Sequence, residues 1–274
     1  MIAPPTANEP DGSARDFFLL VLVLSLPFYA LGAFGARLPL MPFLPLSALM
    51  AMTPALAALI LTWRVRGWTG ARSLVARVAD FRSGEIAPYI LALIFMPAVC
   101  MAAFVILRIG GAPIPPPSFA PAEALFFAFM FVIGAIGEEL GWQGYAYPAL
   151  APRHGPFGAA LLIGAVWALW HVIPYAQLGH GVWWIVWHSL SAVAMRVIIV
   201  RLYELGGRRL PVAIVFHMMI NLSWALFPVA GSFYDPFIAF LLLAAAAAAF
   251  EAHRRSAGGR RDAGLSSPPE PPSA

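Results

Sequence analysis

The chain has 274 residues, 61% hydrophobic and only 11% charged. A soluble globular domain carries about 25% charged residues, so this composition excludes one and points to an integral membrane protein. The net charge of +4 rests on 17 arginines without a lysine, and the single Cys100, inside an apolar run, excludes an intramolecular disulfide framework and a Cys-rich metal site.

The first stretch, "MIAPPTANEPDGSARD", is polar and acidic. It lacks the basic start and short apolar core of a cleavable signal peptide, and residues 1–16 are expected to form a disordered tail. Residues 17–253 are expected to form a transmembrane helical domain. Apolar runs fall at about 17–35, 42–63, 88–109, 121–147, 157–173, 181–200, 210–227 and 234–252, each near the ~20 residues that cross a bilayer. The fold class is therefore all-α, a polytopic integral membrane protein with about eight transmembrane helices. No internal repeat is visible. Residues 254–274 end in the Pro/Ser-rich "GLSSPPEPPSA" and are expected to be a disordered tail.

The arginines fall between the apolar runs, so they report topology rather than a nucleic-acid surface. Arg64, Arg66, Arg72, Arg77 and Arg82 follow the second run, and Arg153 follows the fourth. Arg201, Arg208 and Arg209 follow the sixth, and Arg254, Arg255, Arg260 and Arg261 follow the eighth. The opposite connections hold only Arg37, with Arg108 at a span end. This alternation predicts both termini on the cytoplasmic side, and the membrane expected is a prokaryotic plasma membrane. The segment "GARSLVARVADF" has Leu74, Val78 and Phe81 at helical spacing and reads as a short helix lying on the cytoplasmic leaflet.

Well inside the spans, the ionisable residues reduce to Glu138, Glu139, His171, His188 and His217, with Asn221 as a notable amide. A charged group near the bilayer centre costs roughly 2.5–3.5 kcal/mol, which marks such residues as functional candidates. At 1.5 Å per residue, Glu138 lies ~14 Å, His171 ~21 Å, His217 ~10 Å and Asn221 ~16 Å from the cytoplasmic ends of their spans. Three helices thus bring polar groups to one level. His217 and Asn221, in "HMMIN", are i and i+4 and share a face. Glu138 and Glu139 point about 100° apart, so one faces the shared site and the other serves a second role. Trp167 and His171, in "WALWH", share a face, which packs the indole beside the site.

A carboxylate and an imidazole can hold a water and take its proton, while a second imidazole and an amide can donate to a developing oxyanion. That set describes amide hydrolysis. A His/His/Glu set holding Zn²⁺ would also activate water, and residue types alone leave both open. No HExxH is present.

In order along the chain, "EELGWQG", "WALWH" and "HMMIN" resemble the motifs EExxxR, FxxxH and HxxxN of the CPBP family, the CaaX proteases and bacteriocin-processing enzymes that include the Abi group. The resemblance covers about residues 121–227, across which the chain would fold as ~20-residue spans. It implies an intramembrane endopeptidase acting on a membrane-associated CaaX-type or bacteriocin-related peptide or protein. Glu138 would activate water with His171, His217 and Asn221 would stabilise the oxyanion, and Glu139 would be the supporting glutamate. If a divalent metal such as Zn²⁺ serves, the resemblance implies Glu138, His171 and His217 as its ligands. The partners implied are the lipid bilayer and the peptide substrate, with no nucleic acid. Two positions depart from the pattern. Trp167 replaces the usual Phe. Gln143 stands in the arginine position and cannot compensate a carboxylate's charge, so the two glutamates are expected to share a proton.

Other readings compete. A catalytically weak scaffold or immunity protein would use the same cavity for binding, a reading motivated by Gln143. A transporter would use the carboxylates as a proton relay, but many transporters show internal repeats. His188 matches no motif and is expected to be a satisfied buried or interface histidine. Trp183, Trp184 and Trp187 read as an interfacial belt, and Arg153 and His154 as solvated loop residues.

Overall fold

The computed structural model describes residues 13–81 and 86–265; of residues 42, 43 and 257–265 it describes the backbone alone. Most of the expected amino-terminal tail, Arg82 and residues 266–274 lie outside the described residues.

Helix α1 spans Ala14–Ala33 and is capped by Ser13, whose hydroxyl accepts from the Asp16 amide. A short antiparallel hairpin follows, with β1 at Arg37–Leu38 and β2 at Met41–Pro45, then a 3₁₀ turn at Leu46–Met52. Helix α2 runs Thr53–Ala76, α3 Ala87–Ile109 and α4 Pro121–Gly141. A π-helical turn at Trp142–Ala146 joins α4 to α5, Tyr147–Gln177. Helices α6, Val182–Leu205, α7, Leu210–Ala225, and α8, Pro236–Leu265, complete the chain. Proline in the first turn recurs in α2, α3, α4 and α7, where its missing N–H costs no hydrogen bond. At α8 the Asp235 carboxylate accepts from the amides of Phe237 and Ile238.

Six helical stretches are long and apolar enough to cross a membrane, and the longest, Pro121–Gln177, has 57 residues. At 1.5 Å per residue that is roughly 85 Å, far more than one ~30 Å hydrocarbon core. It is broken at Gly155, whose φ of 65° no continuous helix permits. Two of the eight apolar runs therefore occupy this stretch. Another became α7, which at 16 residues is shorter than a full crossing. The eight runs correspond to eight helical bodies, and the protein is an all-α polytopic membrane protein.

Three boundaries differ from expectation. The second run begins not as helix but as β2 and the 3₁₀ turn, because Pro42 and Pro45 hold the chain extended before Thr53. Helix α8 continues past residue 253 to Leu265, supported by Glu251, which pairs with Arg254 and Arg255 one turn on. The segment after Gly67, where φ is 62°, is a second helical part of α2 rather than a detached helix. It buries Leu74 and leaves Phe81 exposed. Arg153 and His154 are exposed as expected, but lie in helix just before the Gly155 break.

Helix α6 is the centre of the bundle. Its apolar window is 61% buried, against 22–39% for the other five spans. Helix α8 lays Ala239, Leu243 and Ala247, one turn apart, into the core. Helix α4 touches the start of α2 through Gly137 and Gly141. A methyl group at Gly137 would stand 2.6 Å from the Ala51 carbonyl, and one at Gly141 2.6 Å from that of Pro54. These two glycines bracket Glu138 and Glu139 and permit close backbone approach on one face of α4.

Polar ties fix the helices around the site. On the α1–α5 side, Trp170 Nε1 donates to Ser25 Oγ, Tyr29 Oη to the Trp170 carbonyl and Gln177 Nε2 to the Tyr29 carbonyl, at 2.7–2.8 Å. At the other end, Arg77 donates to the Gly144 carbonyl of the π turn and to Tyr203 Oη, both at 2.7 Å. Arg209 pairs with Asp80 and Tyr147 donates to Glu204. The arginine-bearing ends of α2, α5, α6 and α7 are thereby gathered on one face of the bundle.

Candidate active site

The two carboxylates that α4 carries into the bundle meet one imidazole. His217, on α7, places Nδ1 2.6 Å from Glu139 Oε1 and Nε2 3.7 Å from Glu138 Oε1. The first is a hydrogen bond in which Nδ1–H donates. The second gap is too long for one and leaves two reactive atoms facing each other. Glu138, Glu139 and His217 are 4%, 0% and 1% exposed.

Each glutamate has its own support, so the expected division of labour is present. Glu138 Oε2 accepts from Trp167 Nε1 at 2.6 Å and from Trp142 Nε1 at 3.2 Å. Both lone pairs of that oxygen are engaged, and only Oε1 remains free. Trp142 sits one turn after Glu138. Trp167 is more than the packing partner expected of it: besides this bond, its ring stands edge-on to His171 and to His217, with centroids 5.3 Å apart in each case.

Glu139 accepts from Arg196 Nη1 through both oxygens, at 2.9 and 2.8 Å. Arg196 lies on α6, fully buried, with its guanidinium carbon 4.5 Å from the Trp167 ring centre. The inventory of interior ionisable residues is thereby corrected. A lone arginine in "SAVAMRVIIV" carries the same insertion cost as the glutamates and was the signal available for it. The shared proton expected from Gln143 is corrected too. Glu139 faces a cation and an imidazole, while Glu138 faces two indole donors. Gln143 is buried on the π turn, and neither amide atom has a partner among the described residues.

His171, on α5, accepts no partner from the glutamates: no hydrogen bond or ion pair joins it to either carboxylate among the described residues. Its Nδ1 lies 2.9 Å from the Trp167 carbonyl. Nδ1–H therefore donates, and Nε2 keeps its lone pair. The ring is held edge-on by Trp170 and stacked on Tyr175. The Glu138 charge is among those it feels. Asn221, one turn beyond His217 on α7, is half-buried like His171. Its side chain has no hydrogen bond among the described residues. The carboxylates are buried rather than lining an open hydrated pocket, while His171 and Asn221 are half-buried. A cavity of about 520 Å³ lies elsewhere, between α5, α6 and α8.

Other expectations resolve differently. His188 is buried, stacked on Trp184 and edge-on to Tyr175, but its Nδ1 has no partner among the described residues, so it is not fully satisfied there. Of the tryptophan belt, Trp183 is exposed while Trp184 turns inward between His180 and His188. Outside the spans, burial pushes the His180 imidazole below its ordinary range. Cys100 is a free, buried thiol.

A metal set of Glu138, His171 and His217 is chemically reasonable, since each imidazole has Nδ1 hydrogen-bonded and Nε2 left over. The arrangement does not fit one. Among the described residues no three His, Cys, Asp or Glu side chains come together as a ligand group. Two indole N–H groups also occupy Glu138 Oε2, which would leave a cation Oε1 alone.

Residues 120–223 match the family model described as type II CAAX prenyl endopeptidase Rce1-like. CAAX prenyl protease 2 of Methanococcus maripaludis is 32% identical over 109 residues, 37% of this chain. The chain matches 40% of that relative's length. Every residue of the cluster, from Glu138 to Asn221, falls within the segment that is similar to type II CAAX prenyl endopeptidases.

Proposed function

We propose that the protein is an intramembrane endopeptidase that hydrolyses a peptide bond of a membrane-associated substrate, CaaX-type or bacteriocin-related. The observation that carries this reading is His217 set between the two carboxylates, with Glu138 Oε1 and His217 Nε2 facing each other at 3.7 Å.

With Oε2 engaged by two indoles, Glu138 has one oxygen on which to receive a water. Oε1 takes one proton as the water oxygen bonds to the substrate carbonyl carbon. His171 Nε2, fixed as an acceptor, holds the same water from the other side. The charge that develops on the carbonyl oxygen meets His217, in its imidazolium form, and the free amide of Asn221. Glu138 then returns its proton to the departing amine as the C–N bond breaks. With His217 protonated, Glu138, Glu139, Arg196 and His217 carry two negative and two positive charges, which keeps the buried group neutral. No step passes through a metal.

The scaffold or immunity reading rested on a glutamine that cannot balance the glutamates. Arg196 supplies that charge, which favours the enzyme. The setting we propose is a prokaryotic plasma membrane with both termini cytoplasmic, since the arginine-bearing helix ends share one face. The partners are then the bilayer and a peptide that reaches the site from it.

The test is cleavage of prenylated and unmodified peptides by purified protein in proteoliposomes. Glu138→Ala, His171→Ala and His217→Ala should each lower the rate by about 10²–10⁴-fold, the range of general acid–base contributions. Wild type and all three variants cleaving equally would end the proposal.

A further inference from the structure

We infer that Arg196 is the positioning residue of the site, acting on the chemistry through Glu139 and His217; the inference rests on the proteolytic reading above. The chain of contacts is short. Arg196 Nη1 holds both oxygens of Glu139 at 2.9 and 2.8 Å. Glu139 Oε1 in turn holds His217 Nδ1 at 2.6 Å, and this bond turns His217 Nε2 toward Glu138. Without a cation against it, Glu139 would be a bare buried anion. It would draw the Nδ1 proton fully to itself, which strips His217 of its positive charge, or rotate away, which turns Nε2 from Glu138.

Arg196 is itself fixed from two sides. It stands close against α5: a methyl group built on Gly164 would lie 3.2 Å from Arg196 Cβ. Its guanidinium carbon lies over Trp167, the residue that donates to Glu138. One guanidinium therefore touches the supports of both carboxylates. The cluster offers no other cation to Glu139 besides His217 itself. Among the described residues no hydrogen bond or ion pair joins Arg196 to Glu138, and Arg196 is fully buried, so it acts through its neighbours rather than on a substrate.

The way Arg196 bonds also says which substitute will serve. Both hydrogen bonds leave from one nitrogen, while Nε and Nη2 have no partner among the described residues. The site uses a point charge, not the two-pronged fork that makes arginine irreplaceable elsewhere. Lysine should therefore keep the function and glutamine should not.

The experiment compares Arg196→Gln and Arg196→Lys with wild type in the peptide-cleavage assay, scoring kcat and KM on protein that elutes as a single species. Arg196→Gln is expected to lower kcat at least 100-fold with KM within about threefold, since the substrate side is untouched. Arg196→Lys is expected to retain kcat within about tenfold. A merely structural role would not separate two variants that fold equally well. If Arg196→Gln cleaves like wild type while His171→Ala is dead, the positioning role is wrong and the protease reading stands. If Arg196→Lys is as inactive as Arg196→Gln, the point-charge account is wrong. If wild type itself cleaves nothing, both inferences fall together. Should Arg196→Gln not fold, the double variant Glu139→Gln/Arg196→Gln removes that ion pair and leaves Glu138 and His217. Its full activity overturns the role, and Arg196→Lys folding with kcat within about tenfold of wild type supports it.

Discussion

Two carboxylate–guanidinium pairs of nearly equal length occupy opposite settings in this molecule. At the centre, Glu139 and Arg196 meet at 2.8 Å with neither side chain exposed. At the rim, on α8, Glu251 and Arg254 meet at 2.6 Å, one turn apart on the same helix, with the arginine partly exposed. Distance does not separate them; surroundings do. The rim pair adds to a helix that alanine already favours, and water competes for both charges. The central pair joins α4 to α6 where no water competes. Its two members became compatible with the interior only together, since either alone would be an unbalanced buried charge.

The sharpest way to break this comparison is to remove one member of the central pair. Glu139→Ala should destabilise the protein by about 3–5 kcal/mol, because Arg196 is left buried without a carboxylate. Glu139→Ala combined with Arg196→Met should recover much of that loss, since apolar replacement of a whole buried pair is often neutral. Denaturant or thermal unfolding in detergent measures both. A double variant no more stable than the single one would mean that the pair is not the unit described here. Activity should stay low in both, which separates stability from chemistry.

The sequence made the outline of this centre readable, and the reasons are physical. Insertion cost singles out Glu138 and Glu139, helical period puts His217 and Asn221 on one face, and depth brings three helices to a common level. All three follow from local rules. The identity of the cation did not follow, although Arg196 obeys the same cost rule; a search confined to the motif positions settles on Gln143 and misses it. The π turn at Trp142–Ala146 was not legible, because a widened turn is selected by what packs against it, here Arg77 on the Gly144 carbonyl. The hairpin at Arg37–Pro45 was absorbed into an apolar run, since hydrophobicity alone does not distinguish an extended segment from the start of a span. The burial of the carboxylates likewise depends on Trp142 and Trp167 filling the space, and residue spacing does not reveal how much space there is.

Trp167 gives a smaller effect that sharpens the same contrast. Trp167→Phe keeps the ring beneath Arg196 but removes the 2.6 Å donor to Glu138 Oε2, leaving Trp142 at 3.2 Å. A lost hydrogen bond to a charged group is worth about 1.5–3 kcal/mol, so cleavage should fall roughly ten- to a hundredfold. The family pattern places Phe at this position, so folding should be unaffected. The measurement is kcat/KM with the unfolding midpoint alongside. An unchanged rate would mean that Trp142 alone fixes Glu138.

The smallest effect belongs to the rim. Arg254→Ala removes two bonds to Glu251, but Arg255 still donates to the same carboxylate at 2.9 Å. Partly exposed ion pairs contribute about 0–1 kcal/mol, and helical neighbours at this spacing about 0.3–0.5. The expected loss is below ~1 kcal/mol, with cleavage within twofold of wild type and the difference shrinking further in high salt. The same unfolding measurement as for Glu139→Ala reads it on one scale. Were the rim variant to lose as much as the central one, burial would not be what distinguishes the two pairs. The placement of Arg196 at the heart of the site would then need another explanation than its isolation from water.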